Sequence, residues 1–310
     1  MPTLPIDDFL KTCVQAAYDA GRLTLGYFGT NPPVEFKADD TPVTKADRAA
    51  EELIRARLEA AYPDHGIVGE ETGTSGEGAS LRWFVDPIDG TKSFMRGVPL
   101  YAVLLGLEAE GEVVVGAAYF PALDEMLYAA KGRGAFLNGR QVRVRDTATL
   151  ARSFVAFTDA GSFAAQGRGA AWERVQAATY HRVGWSDAYG HALVASGRLE
   201  LMLDPIMNAY DAGPFGVILP EAGGYFGDWS GNAGIHGGEG LSTSTALLPE
   251  VLSVLRGCRP NSSALRLRRS AEAGSRLAGD GTLPQTFDPH HLGRGGAHRQ
   301  RPPGRGAVDD

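Results

Sequence analysis

Over the first sixty positions apolar residues recur every three or four places, the period of a helix with one buried face. Residues 9–28 carry Leu10, Val14, Ala17, Tyr18 and Leu25 in that rhythm, and residues 44–62 carry Ala46, Ala50, Leu53, Ile54 and Leu58. The run Asp39-Asp40-Thr41-Pro42 marks a break between the two helices. From Trp83 the pattern changes to short apolar runs at 83–86, 102–107, 113–120, 126–129 and 135–137, separated by glycine-containing turns. These predict a meander of strands, antiparallel where Glu110-Gly111 turns the chain. Beyond residue 150 strands and helices mix. Strands are expected at 153–157 and 199–203, and helices at 170–179, at 188–196 with Gly197 as its cap, and at 209–219. That last helix should end before Gly223-Gly224, and residues 251–256 belong to a final one. Such blocks fit an α+β fold of helices layered over two sheets.

The pattern stops at residue 257. Residues 258–310 hold nine Arg, no Lys and five acidic residues, with few aliphatic side chains after Leu267. A stretch so rich in Gly, Pro, Arg and His cannot bury enough apolar surface to offset chain entropy, so a disordered extension is expected. Three segments follow: an N-terminal half at 1–148, a C-terminal half at 149–257, and the tail at 258–310. The whole chain of 310 residues has a net charge of −7, which the +4 tail and a −11 remainder together produce. An acidic body argues against a nucleic-acid or anionic-membrane binder. No apolar run reaches the length of a spanning helix, and the N-terminus lacks a signal-peptide pattern. Cys13 and Cys258 stand alone, without C-x-x-C spacing. A cytoplasmic protein is the expectation.

Chemistry concentrates in Asp86-Pro87-Ile88-Asp89-Gly90-Thr91-Lys92-Ser93-Phe94. An apolar strand runs into two carboxylates three residues apart. Pro87 keeps Asp86 extended, so both acids can converge at one strand end. Gly90 permits a tight turn into a short helix whose first amides would suit an anion. Hard oxygen ligands beside an anion seat describe a Mg²⁺ site with substrate phosphate as co-ligand. Asp-Gly and Asp-Pro are also frequent turn dipeptides, so a plain turn competes with this reading. Glu70, after Ile67-Val68, and Asp211, at the start of the 209–219 helix, are further acidic candidates. A solvated loop charge and a helix cap are the competing explanations. The chain has no GxGxxG, no GxxxxGK[ST], no HExxH and no internal repeat.

Together these motifs resemble the inositol-monophosphatase superfamily of Mg²⁺-dependent, Li⁺-sensitive phosphatases. The landmarks are Val43-Thr44-Lys45-Ala46-Asp47, Gly69-Glu70-Glu71, the Asp86 to Thr91 element, and Asp211 with Glu221-Ala222-Gly223-Gly224, in family order from about residue 7 to 256. One departure is Tyr210, where the family usually has Trp. The resemblance implies a layered α-β-α-β-α fold, two or three Mg²⁺ ions and often a homodimer. It implies one metal held by Glu70, Asp86 and the Ile88 carbonyl, a second by Asp86, Asp89 and Asp211, and a weaker third near Glu70. Thr91, hydrogen-bonded to Asp47, would orient and help deprotonate the attacking water, and the amides of Gly90 and Thr91 would hold phosphate oxygens.

The substrate implied is a small phosphate ester. Lys92-Ser93-Phe94, Arg96-Gly97-Val98-Pro99, Trp185-Ser186-Asp187-Ala188-Tyr189-Gly190 and Asp204-Pro205 are similar to the branch acting on L-histidinol phosphate. Asp204, seven residues before Asp211, stands where the family places its substrate-recognition acid, and Asp187 is a second candidate. Either would suit an ammonium or imidazolium group. A turn at Asp204 and a helix cap at Asp187 remain open, as do inositol phosphate or sugar phosphates, a nucleotide bisphosphate, and a regulator without catalysis.

Overall fold

The computed structural model describes residues 4–30, 34–36, 42–147 and 149–257. The predicted tail at 258–310 and most of the break at 39–42 lie outside the described residues. The chain begins with α1 (Ile6–Thr24), the hairpin β1 (Val34–Phe36) and β2 (Pro42–Thr44), then α2 (Lys45–Ala61). Next come β3 (Gly66–Gly69), β4 (Gly73–Ser75), β5 (Leu81–Asp89) and the short α3 (Thr91–Met95). A meander follows through β6 (Ala102–Ala109), β7 (Glu112–Phe120), β8 (Glu125–Ala130), β9 (Gly134–Leu137) and β10 (Arg140–Val142). Seven of these strands run on from β5 or beside it, giving an eight-stranded sheet in the order β10-β9-β8-β7-β6-β5-β3-β4. The β6–β7 hairpin is antiparallel around Glu110-Gly111, as its turn residues predict, whereas β3 and β5 are parallel.

The second half supplies β11 (Phe154–Ala156), α4 (Ala160–Ala165), α5 (Gly169–Ala178), β12 (His181–Val183), α6 (Asp187–Ala195) and β13 (Leu201–Asp204). After these come α7 (Ala209–Ala212), α8 (Phe215–Glu221), β14 (Gly224–Gly227), β15 (Gly240–Ser244) and α9 (Leu248–Arg256). Their strands form a five-stranded sheet in the order β12-β11-β13-β15-β14.

The first sheet is apolar on both faces because both are covered. Trp83, Val85, Val103, Leu105 and Leu107 turn toward α1 and α2, joining Phe9, Cys13, Ile54 and Leu58. Their neighbours Phe84, Ala102 and Leu104 turn the other way, onto Phe215, Ile218 and Leu219 of α8. This alternation is the period of two that a pleated strand imposes. Helices α6 and α8 therefore lie between the sheets, and the far face of the second sheet packs on Trp172 and Val175 of α5 and Val251 and Leu255 of α9. The layers are α-β-α-β-α, as expected from the resemblance.

The predicted helix at 209–219 is two helices, α7 and α8, separated at Gly213-Pro214. Pro214 has no N–H to give, so the ladder is interrupted there although Gly213 and Pro214 both keep helical dihedrals. The break sits against β6. A Cβ on Gly106 would stand 2.5 Å from the Gly213 carbonyl carbon, so only glycine allows this approach. Glu221, a family landmark in the sequence, accepts hydrogen bonds from Gly132 N–H (2.7 Å) and Gly134 N–H (2.6 Å), and so ties α8 to the β8–β9 turn.

Candidate active site

The parallel pair β3 and β5 ends on one side of the sheet, which brings Glu70 beside the carboxylates that close β5. Glu70 N–H donates to the Val85 carbonyl at 3.1 Å, fixing the loop to that strand. Between Asp86 and Asp89 the pairing of β5 with β6 shifts register. Ile88 N–H donates back to Asp86 Oδ1 at 3.0 Å, so the chain turns tightly around Pro87. Asp211 reaches the same place from α7, where its Oδ2 accepts from Asn208 N–H at 2.8 Å. It is thus a cap residue and a site residue at once. Carboxylate oxygens of Asp86, Asp89 and Asp211 lie within 4.8 Å of one another.

Such crowding has an electrostatic signature. Burial first, then the charges of Glu70, Asp89 and Asp211, push Asp86 well above the usual carboxylate range. Asp89 is raised in the same direction by burial and by Asp187 and Asp211, against a hydrogen bond from Ala188 N–H (2.8 Å) at the start of α6. Asp211 is raised to about 7, mainly by burial, with the Asn208 amide opposing and Glu70 adding to the rise. Four carboxylates held this close destabilise one another unless a cation or a proton sits among them.

Asp47 closes the site from the first turn of α2. It is fully buried, and burial raises its pKa against the hydrogen bonds from Thr44, with Glu70 contributing. Its Oδ2 accepts from Thr44 N–H (2.8 Å) and Thr44 Oγ1 (2.5 Å), while Oδ1 has no partner among the described residues. The expected Thr91–Asp47 hydrogen bond is absent. The Thr91 hydroxyl donates instead to the Ile88 carbonyl at 3.1 Å, three residues back in its own turn. An unpartnered buried carboxylate oxygen beside an all-oxygen cluster fits a site built for hard divalent cations and their water, Mg²⁺ among them.

Gly90 links the cluster to the second half. Its φ of +76° is left-handed, and a Cβ there would stand 2.9 Å from Asp187 Oδ2. Asp187 is not the cap of α6; Ser186 holds that position. Instead Asp187 Oδ2 accepts from the Ser93 hydroxyl at 3.0 Å, across 94 residues of chain. Burial, and then the charge of Asp204, raise Asp187 to about 6. Asp89, Lys92, Thr158, Asp187, Asp204 and Asp211 line one cleft of about 190 Å³. Ile206 forms an exposed apolar part of its wall.

Two residues escaped the sequence reading. His191 is completely buried on α6, with Nδ1 2.6 Å from Ser242 Oγ and Nε2 3.3 Å from Asp204 Oδ2. It backs Asp204 from inside the protein. Glu51, on α2 one turn after Asp47, is equally buried and holds the loop that carries Glu70. Each looks like an ordinary residue of a helical pattern, and no local signal distinguishes it.

The comparisons with known proteins agree with this geometry. The sequence model of the inositol monophosphatase family matches residues 6–260. This chain belongs to that family. A histidinol-phosphatase of Chlorobaculum parvum is 45% identical over 233 residues, covering 75% of this chain and 90% of that protein. An inositol-1-monophosphatase of Mesorhizobium japonicum is 36% identical over 232 residues, covering 72% and 86%. Among solved structures, an inositol monophosphatase of Thermotoga maritima aligns with a TM-score of 0.74 at 30% identity, over 81% of this chain and 98% of that one. The protein is therefore a phosphoric monoester hydrolase of a generally Mg²⁺-dependent family that acts on small phosphate esters. No helix among the described residues is long and apolar enough to cross a membrane.

Proposed function

We propose that this phosphatase hydrolyses L-histidinol phosphate to L-histidinol and phosphate. The observation that carries the reading is the second acidic group in the cleft: Asp187 and Asp204, next to the Asp86, Asp89 and Asp211 cluster. Asp204 is 8% exposed and Asp187 is raised toward neutrality by burial and by Asp204, so a ligand cation between them would relieve an existing repulsion. Inositol and simple sugar phosphates offer only hydroxyls there. The amine and imidazole of histidinol offer charge. The 45% identical histidinol-phosphatase supports the same choice.

In this reading Glu70, Asp86, Asp89, Asp211 and the Ile88 carbonyl hold two or three Mg²⁺ ions. Bound metal supplies Lewis acidity and positive charge to the phosphate and its leaving oxygen. The protein does the rest. The amides of Gly90 and Thr91 would hold phosphate oxygens at the start of α3. Thr91 and Asp47 would orient the attacking water, and the assignment of its proton to Asp47 is supported by Oδ1 having no hydrogen-bond partner among the described residues. Asp204 and Asp187 hold the organic part of the ester, with His191 keeping Asp204 in place.

Phosphate release from histidinol phosphate, inositol 1-phosphate, fructose 1,6-bisphosphate and adenosine 3′,5′-bisphosphate, with and without Mg²⁺, tests the proposal. Highest kcat/KM on histidinol phosphate, with at least a tenfold loss on replacing Asp204 with Asn, is the expected result, since lost charge-assisted hydrogen bonds of about 1.5–3 kcal/mol correspond to such factors. Higher kcat/KM on inositol 1-phosphate would transfer the reading to the inositol branch.

A further inference from the structure

Glu70 sits on the segment joining β3 to β4, and a ligand carried on a loop is only as well placed as the loop is held. The hold comes from α2. Glu51 Oε2 accepts from Glu71 N–H at 2.7 Å, and Oε1 accepts from Thr72 N–H at 3.2 Å, from the Thr72 hydroxyl and from Arg55 Nε at 2.8 Å. Every partner donates. Four donors into two oxygens is a demand that a carboxylate meets and an amide does not. Arg55, one turn further on, donates to Ser75 Oγ at 3.1 Å and to the Gly73 carbonyl. On the other side of Glu70, a Cβ on Gly69 would collide with the Glu51 carboxylate, so the strand end lies directly against it. The segment 69–75 is thus gripped on both sides of Glu70 by two residues of one helix.

The same helix carries Asp47 four residues before Glu51, on the same face and equally buried. Glu70 lies near enough to raise both Asp47 and Asp86. Helix α2 therefore sets the spacing between Asp47 and Glu70 through Glu51.

We propose that Glu51 is a positioning residue that sets the divalent-metal affinity of the site by fixing Glu70. The proposal rests on Glu70 being a metal ligand, and the experiment separates the two. Mn²⁺ binding to the full-length protein is measured by electron paramagnetic resonance for wild type, Glu51→Gln, Glu70→Gln and the double variant, alongside the Mg²⁺ dependence of phosphate release. Groups that orient metal ligands typically contribute 10–100-fold to affinity. Glu51→Gln should weaken Mn²⁺ binding by about that factor and raise the half-saturating Mg²⁺ in parallel, with kcat at saturating Mg²⁺ within a few-fold of wild type. The double variant should bind no more weakly than Glu70→Gln alone, because both losses pass through one ligand.

If Glu70→Gln leaves Mn²⁺ binding unchanged, the ligand reading fails and the proposal with it. If Glu70→Gln weakens binding but Glu51→Gln does not, or if the two losses multiply, the proposal alone is overturned. Should Glu51→Gln not fold, Thr72→Val removes one donor while leaving the carboxylate its other partners. A several-fold weakening of Mn²⁺ binding supports the proposal, and unchanged binding overturns it.

Discussion

Replacing Asp187 with Asn should stabilise the metal-free protein at neutral pH while weakening its grip on a cationic substrate. Asp187 is raised from 3.8 to about 6 by burial and by the facing charge of Asp204. A carboxyl with a raised folded pKa binds its proton more tightly in the folded chain than in the unfolded one. Its stabilising contribution is therefore complete below about pH 3.8 and is lost as pH rises through about 6. The shift corresponds to about 3 kcal/mol, and roughly half of that loss falls between pH 5 and 7.5. Asparagine cannot titrate but can still accept from Ser93, so the variant avoids the penalty. Urea unfolding in EDTA, repeated from pH 5 to 7.5, measures the difference. The variant should gain on wild type steadily as pH rises. A difference that stays flat over that range would refute the electrostatic account of Asp187. In the presence of Mg²⁺, KM for histidinol phosphate should rise in the same variant, and KM for an ester without an amine should not.

Asp86→Asn should abolish phosphate release while circular dichroism shows the fold intact; full activity would sink the assigned site. Saturating Mg²⁺ should raise the melting temperature, by about 2.7 kcal/mol of stability at a hundredfold excess over Kd, or roughly 5–10 °C for a domain of this size. A melting curve indifferent to Mg²⁺ would count against a cation among these carboxylates. Gly106→Ala places a methyl group 2.5 Å from the Gly213 carbonyl carbon and should cost about 1–3 kcal/mol in denaturant unfolding. Because α7 lies against that point, the same variant should weaken Mn²⁺ binding, whereas unchanged stability would contradict the close packing of α7 on β6.

Much of the fold is legible locally. The helical period over 9–28 and 44–62 corresponds to α1 and α2, and the glycine-punctuated runs from 102 onward correspond to the meander. Where Pro214 stands inside an apolar run, periodicity alone joins α7 to α8, because side-chain spacing barely registers a broken backbone ladder. The Asp86 to Thr91 element is also legible, since strand, turn and helix start are contiguous there. Thr91 shows the limit. The resemblance pairs it with Asp47, but its hydroxyl donates to the Ile88 carbonyl, three residues back in the same turn.

By itself the sequence determined where acidic candidates cluster along the chain and on which kind of element most of them stand, because dihedral preferences and hydrophobic period act over a few residues. Tertiary structure alone decided what those side chains meet. Ser93 and Asp187 are 94 positions apart, Glu51 and Thr72 are 21, and Ser242 and His191 are 51. No local period spans such distances. Only the packing of two sheets around α6 and α8, with α2 against the outer face, sets Asp187 over Gly90 and Glu51 behind Glu70. The carboxylates are written in the chain; their crowding, and the raised pKa values that burial and crowding create, belong to the fold.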